Sequence, residues 1–509
     1  MTEALSTTTA APSGAEAVTR RNNLVIRLLL VSAFVVILNE TIMGVALPQL
    51  MKDLDITANA AQWLTTAFML TMAVVIPITG FLLQRFDTRP VFISAMSLFS
   101  AGTFIAAIAP GFEVLLAGRV VQATGTAIMM PLLMTTVMTL VPAASRGRTM
   151  GNISIVISVA PAIGPTISGV ILSVLDWRWM FILVLPIALG ALAVGAARVR
   201  NVTTPRRTHF DVASVILSAF AFGGLVYGLS SLGGIAAGGS PLGAWAPLGI
   251  GIVALVVFVL RQIGLQRVEQ ALLDLRTFRS RNFTFSIVMF SMSMMAFFGT
   301  IVLLPIYMQD VLGLDPLQTG LLLLPGGLTM GLLAPLVGRT YDRIGPTALL
   351  VTGAMIVTSV LWIMTTFGAT TSPFSVLAAH ASLSVGLALL FTPLFSASLG
   401  SLRPQLYSHG SAIVGTVQQL AGAAGTALFV TVMAAQAAIL LAGGATDVAA
   451  TAEGVRVAFV YGAIISTFAI PAAMMIGRTA EPASGDMPMA RSAPNVRRPK
   501  SRNGWTRGV

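Results

Sequence analysis

The chain has 509 residues, of which 56% are hydrophobic and only 9% are charged, and its formal net charge is +12. This balance excludes a soluble protein. The absence of cysteine excludes disulfides, thiolate metal sites and cysteine nucleophiles. Because only three histidines are scattered along the sequence, we expect no metal site.

Apolar runs long enough to cross a bilayer, which takes roughly 20 residues, recur along the sequence. Fourteen are predicted to be transmembrane helices: 24–48, 61–83, 90–109, 112–141, 150–174, 179–197, 211–232, 244–261, 283–307, 317–338, 347–367, 374–400, 411–440 and 455–477. The first run is too long for the core of a signal peptide, so we expect it to remain as a helix. The sequence therefore predicts an all-α integral membrane protein.

The positive charges are distributed unevenly between the two sides of the predicted membrane. Most of the 30 Lys and Arg residues lie in segments on the same side as both termini. The other side holds Lys52, Arg178 and Arg456, and Arg119 lies inside a span. This positive-inside pattern predicts a multi-pass protein of the cell (inner or plasma) membrane with both termini cytoplasmic. It also argues against a nucleic-acid partner, because the charge follows topology and forms no continuous groove.

An internal repeat divides the predicted helices. The segment VALPQLMKDL from Val45 resembles VLLPIYMQDV from Val302, at an offset of 257 residues. Span nine therefore corresponds to span one, an arrangement typical of transporters, in which the substrate binds between two repeated bundles. The predicted parts are a cytoplasmic N-terminal tail (1–23), a six-helix bundle (24–197), two inserted helices with cytoplasmic links (198–282), a second six-helix bundle (283–477) and a basic disordered cytoplasmic tail (478–509).

Five segments combine polar residues with glycine or proline in or beside these spans. The first, LNETIMGVALP, runs from Leu38 to Pro48 in span one. GFLLQRFDTRP follows span two, and GRTYDRIG occupies the matching place in the second half. GRVVQATG lies in span four, and APAIGPTISG lies in span five.

With these motifs, residues 24–477 resemble the fourteen-helix drug:proton antiporter branch of the major facilitator superfamily. The resemblance implies the major facilitator fold, with two six-helix bundles plus two inserted central helices, and a multidrug efflux transporter rather than an enzyme. The branch usually has Asp where this chain has Asn39, which Glu40 follows. The loop after span two usually has Asp where this chain has Gln84. In the family, the span-five motif accompanies export.

Glu40 is predicted to be the proton-coupling acid. An Arg inside a membrane faces a partner or water, and Arg119 shares a helix face with Gln122, three residues on. Glu40 and Arg119 lie roughly 12 and 10 Å below the same surface at 1.5 Å per residue, which makes Arg119 the expected partner of Glu40. Glu113, at the outer start of span four, is the next candidate acid. The alternative for Glu40 is an ion pair that only fixes packing.

Two further sets of residues are predicted to take part in transport. The substrate-binding set is Asn39, Gln122, Met292, Phe297, His380 and Gln418. The gating set is Gly80, Arg85, Asp87, Arg89, Gly164, Pro165, Gly169, Asp342 and Arg343. Both sets have an alternative interpretation. The loop charges could serve simply to anchor the topology, and the methionine, phenylalanine and histidine side chains could serve simply to pack against neighbouring helices.

These observations predict a proton-coupled antiporter that exports amphipathic or cationic small molecules, such as drugs and antibiotics, by alternating access. We expect no ATP use, because the two lysines, in Met-Lys-Asp and Pro-Lys-Ser, do not fit a Walker A motif. The energy source would be the proton gradient, with no cofactor, and the partners would be substrate, protons and the lipid bilayer. Two alternatives remain: a dedicated exporter of a single metabolite or antibiotic, and a non-transporting membrane receptor or scaffold.

Overall fold

A computed structural model describes residues 14–56, 58–201, 211–232 and 240–478 of the chain. Fourteen long helices fill these ranges: α1 (Gly14–Asp53), α2 (Ala58–Arg85), α3 (Thr88–Ala107), α4 (Phe112–Leu140), α5 (Arg146–Val174), α6 (Trp179–Arg198), α7 (Val212–Leu232), α8 (Pro241–Leu265), α9 (Arg281–Ile306), α10 (Pro316–Ile344), α11 (Pro346–Met364), α12 (Pro373–Gly400), α13 (Tyr407–Ala442) and α14 (Asp447–Thr467). A short α15 (Ala469–Met474) follows.

The predicted all-α membrane fold is confirmed. In the described part of the chain, thirteen helices are long and apolar enough to cross a membrane. The remaining long helix, α5, is not among these thirteen, and several of its side chains are not described. The predicted count of fourteen fits this structure.

The helices depart from the predicted spans at their ends. α1 begins at Gly14, inside the predicted tail, because Ala, Glu and Arg are good helix formers outside the membrane as well as within it. α14 begins at Asp447, where the Thr446 hydroxyl accepts a hydrogen bond from a first-turn amide. The predicted last span, 455–477, is two helices: α14 ends at Thr467 and α15 follows. Pro471, in the first turn of α15, has no N–H to bond back to Thr467.

Helix packing joins the two halves of the repeat. α1 packs against α4, α5 and α6, while α9 packs against α12 and α13. α7 and α8 pack on each other, and α7 also contacts α2 and α13. α5 packs against α10, and α13 packs against α2. The division into two bundles, an inserted pair and tails stays a prediction, and most of both predicted tails lies outside the described residues.

We call the end of the bundle at which α1 begins the inner end; it is the end predicted to face the cytoplasm. α2, α4, α10 and α12 finish there, and α5 and α13 start there. The first turn of α5 lies so close to α10 that a Cβ added at Gly147 would meet the Gly338 carbonyl. The inner end is therefore closed by direct helix contact between the halves.

Candidate substrate and coupling site

A buried polar cluster lies where α1, α3 and α4 meet. Arg119 is 1% exposed and donates hydrogen bonds from Nη1 to Oε1 of Gln122 at 2.6 Å and to Oδ1 of Asn39 at 3.3 Å. Gln122 donates from Nε2 to Oγ1 of Thr103 at 2.7 Å. The guanidinium carbon of Arg119 lies 4.1 Å from the ring centroid of Phe68 on α2. Amide, hydroxyl and aromatic groups thus surround an intramembrane cation.

Glu40 lies beside this cluster without being bonded into it. Its side chain is half-buried, and its charge interacts with that of Arg119 through space. Among the described residues, Arg119 donates to Asn39 and Gln122 and not to Glu40, so the expected partnership of Glu40 with Arg119 is between charges that are not hydrogen-bonded. Consecutive helical residues point about 100° apart, and Asn39 is the one that faces α4. Glu113 is exposed in the first turn of α4, about 9 Å along the axis from Arg119.

The span-five motif contacts α1 next to the coupling acid. Thr41 follows Glu40, and its hydroxyl lies 3.4 Å from a backbone carbonyl of α5. A Cβ added at Gly164 would collide with the Thr41 side chain, so only glycine permits this approach. The side chain of Pro165 lies outside the described residues. Gly169 is exposed, with open space where its Cβ would be.

The predicted substrate-binding residues of the second half lie on other helices. On α9, Met292 and Phe297 are half-buried, and the Phe297 ring is edge-on to that of Phe391 on α12, with 5.9 Å between centroids. Gln418 is half-buried on α13. His380 on α12 is half-buried against α10, and its Nδ1 has no hydrogen-bond partner in the described part. These residues lie on α9, α12 and α13, whereas the residues around Arg119 lie on α1 to α4.

Polar contacts between the halves at the inner end include one made by Asp342 and one made by Gln84. Asp342, near the end of α10, accepts hydrogen bonds of 2.8 and 2.9 Å from two backbone amides in the first turn of α5. A carboxylate there suits the positive end of the helix dipole. In the other half, Gln84 at the end of α2 donates to Oγ of Ser408 at 3.1 Å and lies 2.6 Å from Nε2 of His409. One contact therefore uses a charge and the other an amide.

The remaining residues predicted for gating lie around these contacts. Gly80 is buried, and a Cβ there would come within 3.4 Å of side chains on α13. Asp87 occupies the N-cap position of α3 without a side-chain capping bond. Arg85, Arg89 and Arg343 are exposed. The structure therefore brings Gly80 and Asp342 to the contact between the halves and leaves the three arginines at the surface.

The sequence profile of the Major Facilitator Superfamily matches residues 29–426. The chain belongs to the Major Facilitator Superfamily. It is therefore a multi-pass membrane transporter and not an enzyme, and transporters of this type use ion gradients and need no cofactor. The match confirms the family that the motifs indicated.

Relatives of this major facilitator protein include two transporters of Bacillus subtilis. The chain is 40% identical over 455 residues to the uncharacterized MFS-type transporter YcnB, covering 87% of this chain and 93% of YcnB. It is 39% identical over 407 residues to the lincomycin resistance protein LmrB, covering 80% of this chain and 84% of LmrB. The crystal structure of the human organic anion transporter MFSD10 (TETRAN) superposes with a TM-score of 0.64. At 14% identity, with 89% of this chain and 99% of that chain covered, it shows the fold alone.

Sequence reasoning missed several residues at these contacts. Thr103 and Phe68 complete the surroundings of Arg119, but a threonine and a phenylalanine in apolar helices give no signal of such a role. His409 had a signal, because it lies just before predicted span thirteen, opposite a motif in which Gln84 replaces the acid usual in the Major Facilitator Superfamily. Recognising that signal required knowing which helix lies against that loop.

Proposed function

We propose that this major facilitator protein is a proton-coupled antiporter that exports amphipathic or cationic small molecules by alternating access. The observation that supports this most directly is Glu40. It is a half-buried carboxylate in the outer half of the membrane-spanning helix α1, and among the described residues it lies beside Arg119 without a hydrogen bond to it. Acids inside membranes usually mark proton or ion pathways. A carboxylate that is not locked in an ion pair can exchange a proton for a cationic substrate.

The proposed cycle uses this exchange in both orientations. When the cavity opens outward, Glu40 takes up a proton and a cationic substrate leaves. When the cavity opens inward, Glu40 releases the proton to the cytoplasm and the ionised carboxylate attracts the next substrate. Arg119, held by Asn39 and Gln122, keeps a fixed positive charge beside Glu40 in this cycle. Both termini, and hence the inner end, are proposed to be cytoplasmic.

The test compares two acids in proteoliposomes with an imposed pH gradient and a fluorescent lipophilic cation. We expect Glu40→Gln to bind the cation but to lose its gradient-driven movement. Asp447→Asn is the control, because this exposed acid in the first turn of α14 is outside the predicted coupling residues, and we expect it to transport normally. Gradient-driven transport by Glu40→Gln at the wild-type rate would contradict the assignment of the coupling acid.

A second candidate function is dedicated export of a single antibiotic. The observation that favours it is the name of LmrB, a relative 39% identical to this chain, which refers to lincomycin resistance. Transport of lincomycin and of a panel of unrelated lipophilic cations would be measured in the same proteoliposomes. Movement of lincomycin alone would favour the dedicated exporter, and movement of several cations would favour the multidrug exporter.

A further inference from the structure

Two pairs of buried hydroxyl groups join the halves near the inner end. The oxygen of Thr135 on α4 lies 2.6 Å from that of Ser411 on α13. Thr392 on α12 donates a hydrogen bond to Ser154 on α5 at 2.8 Å. All four side chains are at most 6% exposed. Thr135 and Thr392 are 257 residues apart, as are Ser154 and Ser411, which is the offset of the repeat from Val45.

The hydrogen bonds run in the same direction in both pairs. Ser411 donates its proton to the Ser408 carbonyl at 3.0 Å, and Ser154 donates its proton to the Met150 carbonyl at 3.1 Å. A hydroxyl has one proton to donate, so the threonine must be the donor to the serine in each pair. The two contacts are therefore equivalent in residue type, direction and sequence position.

These pairs lie between the inner end and the coupling site. Thr135 is about 8 Å from the inner end of α4, and Ser154 is about 12 Å from the start of α5, at 1.5 Å per residue. On the same scale, Arg119 is about 30 Å from the inner end of α4. A substrate that moves between the halves from the inner end to the depth of Arg119 must pass the level of both pairs.

We propose that these four hydroxyls form the inner gate, two symmetric hydrogen bonds that hold the inner end closed and break when it opens. The proposal rests on the proposed alternating access but not on proton coupling. A net intramolecular hydrogen bond of ordinary strength corresponds to roughly a fivefold change in an equilibrium constant. Loss of one bond should therefore favour the inward-open state roughly fivefold, and loss of both roughly thirtyfold.

The first experiment uses disulfide cross-linking, which the cysteine-free chain makes easy to interpret. The variant Thr135→Cys with Ser411→Cys should cross-link rapidly under mild oxidation and lose transport until it is reduced. The matched control is Thr136→Cys with Ser411→Cys, because Thr136 points about 100° away around α4. If the control pair cross-links as fast as the first pair, the assigned contact is wrong.

The second experiment measures access from the inner face to a reporter, Gln418→Cys, with a membrane-impermeant maleimide. Gln418 lies about 16 Å into α13, beyond Ser411. In this background, Thr135→Ala or Thr392→Ala should raise the labelling rate roughly fivefold and the double variant roughly thirtyfold, while Thr→Ser keeps the hydroxyl and the original rate.

Two outcomes separate the gate from the transport proposal. A double alanine variant that elutes as a folded protein, but labels no faster than its parent, would overturn the gate. If the wild type ignores the pH gradient while the labelling rates change as expected, the antiporter proposal fails and the gate is supported. The labelling assay needs neither a substrate nor a proton gradient.

Discussion

Replacement of Gln122 by leucine tests whether the cluster around Arg119 is held by the bonds that the structure shows. Gln122 accepts the shortest hydrogen bond of the guanidinium, at 2.6 Å, and donates to Thr103 at 2.7 Å. Leucine keeps the approximate size and removes both bonds. Arg119 would then retain Asn39 at 3.3 Å as its acceptor, and its Nε already has no partner in the described part of the chain.

The expected cost follows from the two bonds that are lost. A hydrogen bond to a charged group contributes about 1.5–3 kcal/mol, and a neutral one contributes about 1 kcal/mol. Gln122→Leu should therefore lower the free energy of unfolding by about 2.5–4 kcal/mol. Thr103→Val keeps the bond from Arg119 to Gln122 but removes two neutral bonds, from Gln122 to the hydroxyl and from the hydroxyl to the Phe99 carbonyl, and should cost about 1–2 kcal/mol. Gln122→Glu keeps an acceptor for Arg119 and should recover most of the loss.

The assay is reversible unfolding of the purified protein in mixed detergents, combined with gradient-driven transport of a lipophilic cation. We expect the order of stability to be wild type, Thr103→Val, then Gln122→Leu, with transport by the last variant reduced most. The reasoning would be refuted if Gln122→Leu were as stable as Thr103→Val, because the charged bond would then contribute nothing measurable.

Three further predictions concern other contacts. Asp342→Ala removes the acceptor for the first amides of α5 and should destabilise the closed inner end by about 1 kcal/mol. The measurement is the rate at which a cavity cysteine is labelled from the inner face, which should rise. Asp342→Asn keeps an acceptor oxygen and should raise this rate less. The hydrogen bond from Arg261 lowers the pKa of Asp211 to about 2. Arg261→Gln should therefore lower the free energy of unfolding by about 1 kcal/mol at neutral pH. The unfolding curves of the wild type and Arg261→Gln should converge as the pH falls from about 4 to 2, because Asp211 is then protonated. Gly102→Ala should cost about 1–3 kcal/mol in detergent unfolding because its Cβ would meet the backbone of α4, whereas Gly169→Ala, which has open space, should cost nothing.

The helices could be predicted from the sequence because the bilayer itself imposes their length. Each predicted span except the last falls largely within one helix of the described structure, since roughly 20 apolar residues satisfy both the lipid and the backbone hydrogen bonds. Helix ends could not be predicted in this way, because outside the membrane hydropathy no longer decides where a helix stops. Local sequence decides where these helices begin and end. The Thr446 cap starts α14 before the predicted span, and Pro471 accompanies the break that divides this span into α14 and α15.

The surroundings of Arg119 show why depth in the membrane alone does not predict which side chains are in contact. Helix rise places Glu40 and Arg119 at a similar height, but height fixes only the position along the axis. The rotation of α1 decides which residue faces α4, and rotation depends on packing, including the contact of Thr41 with Gly164. The pairing of Arg119 with Gln122 was predictable, since residues three apart share a face whatever the rotation.

The internal repeat preserves the hydroxyl pairs between the halves but does not preserve the charged groups. The two hydroxyl pairs that join the halves are equivalent under the repeat, so this part of the closure of the inner end is symmetric. The charged groups are not: Glu40 corresponds to Phe297 at the offset of 257, and Gln84 takes the place that Asp342 has in the other half. A symmetric gate can hold the halves together without reference to the protonation state, because hydroxyl pairs do not titrate near neutral pH. Protonation can then act through one acid in one half, and the cost of breaking the gate is the same with or without a bound proton.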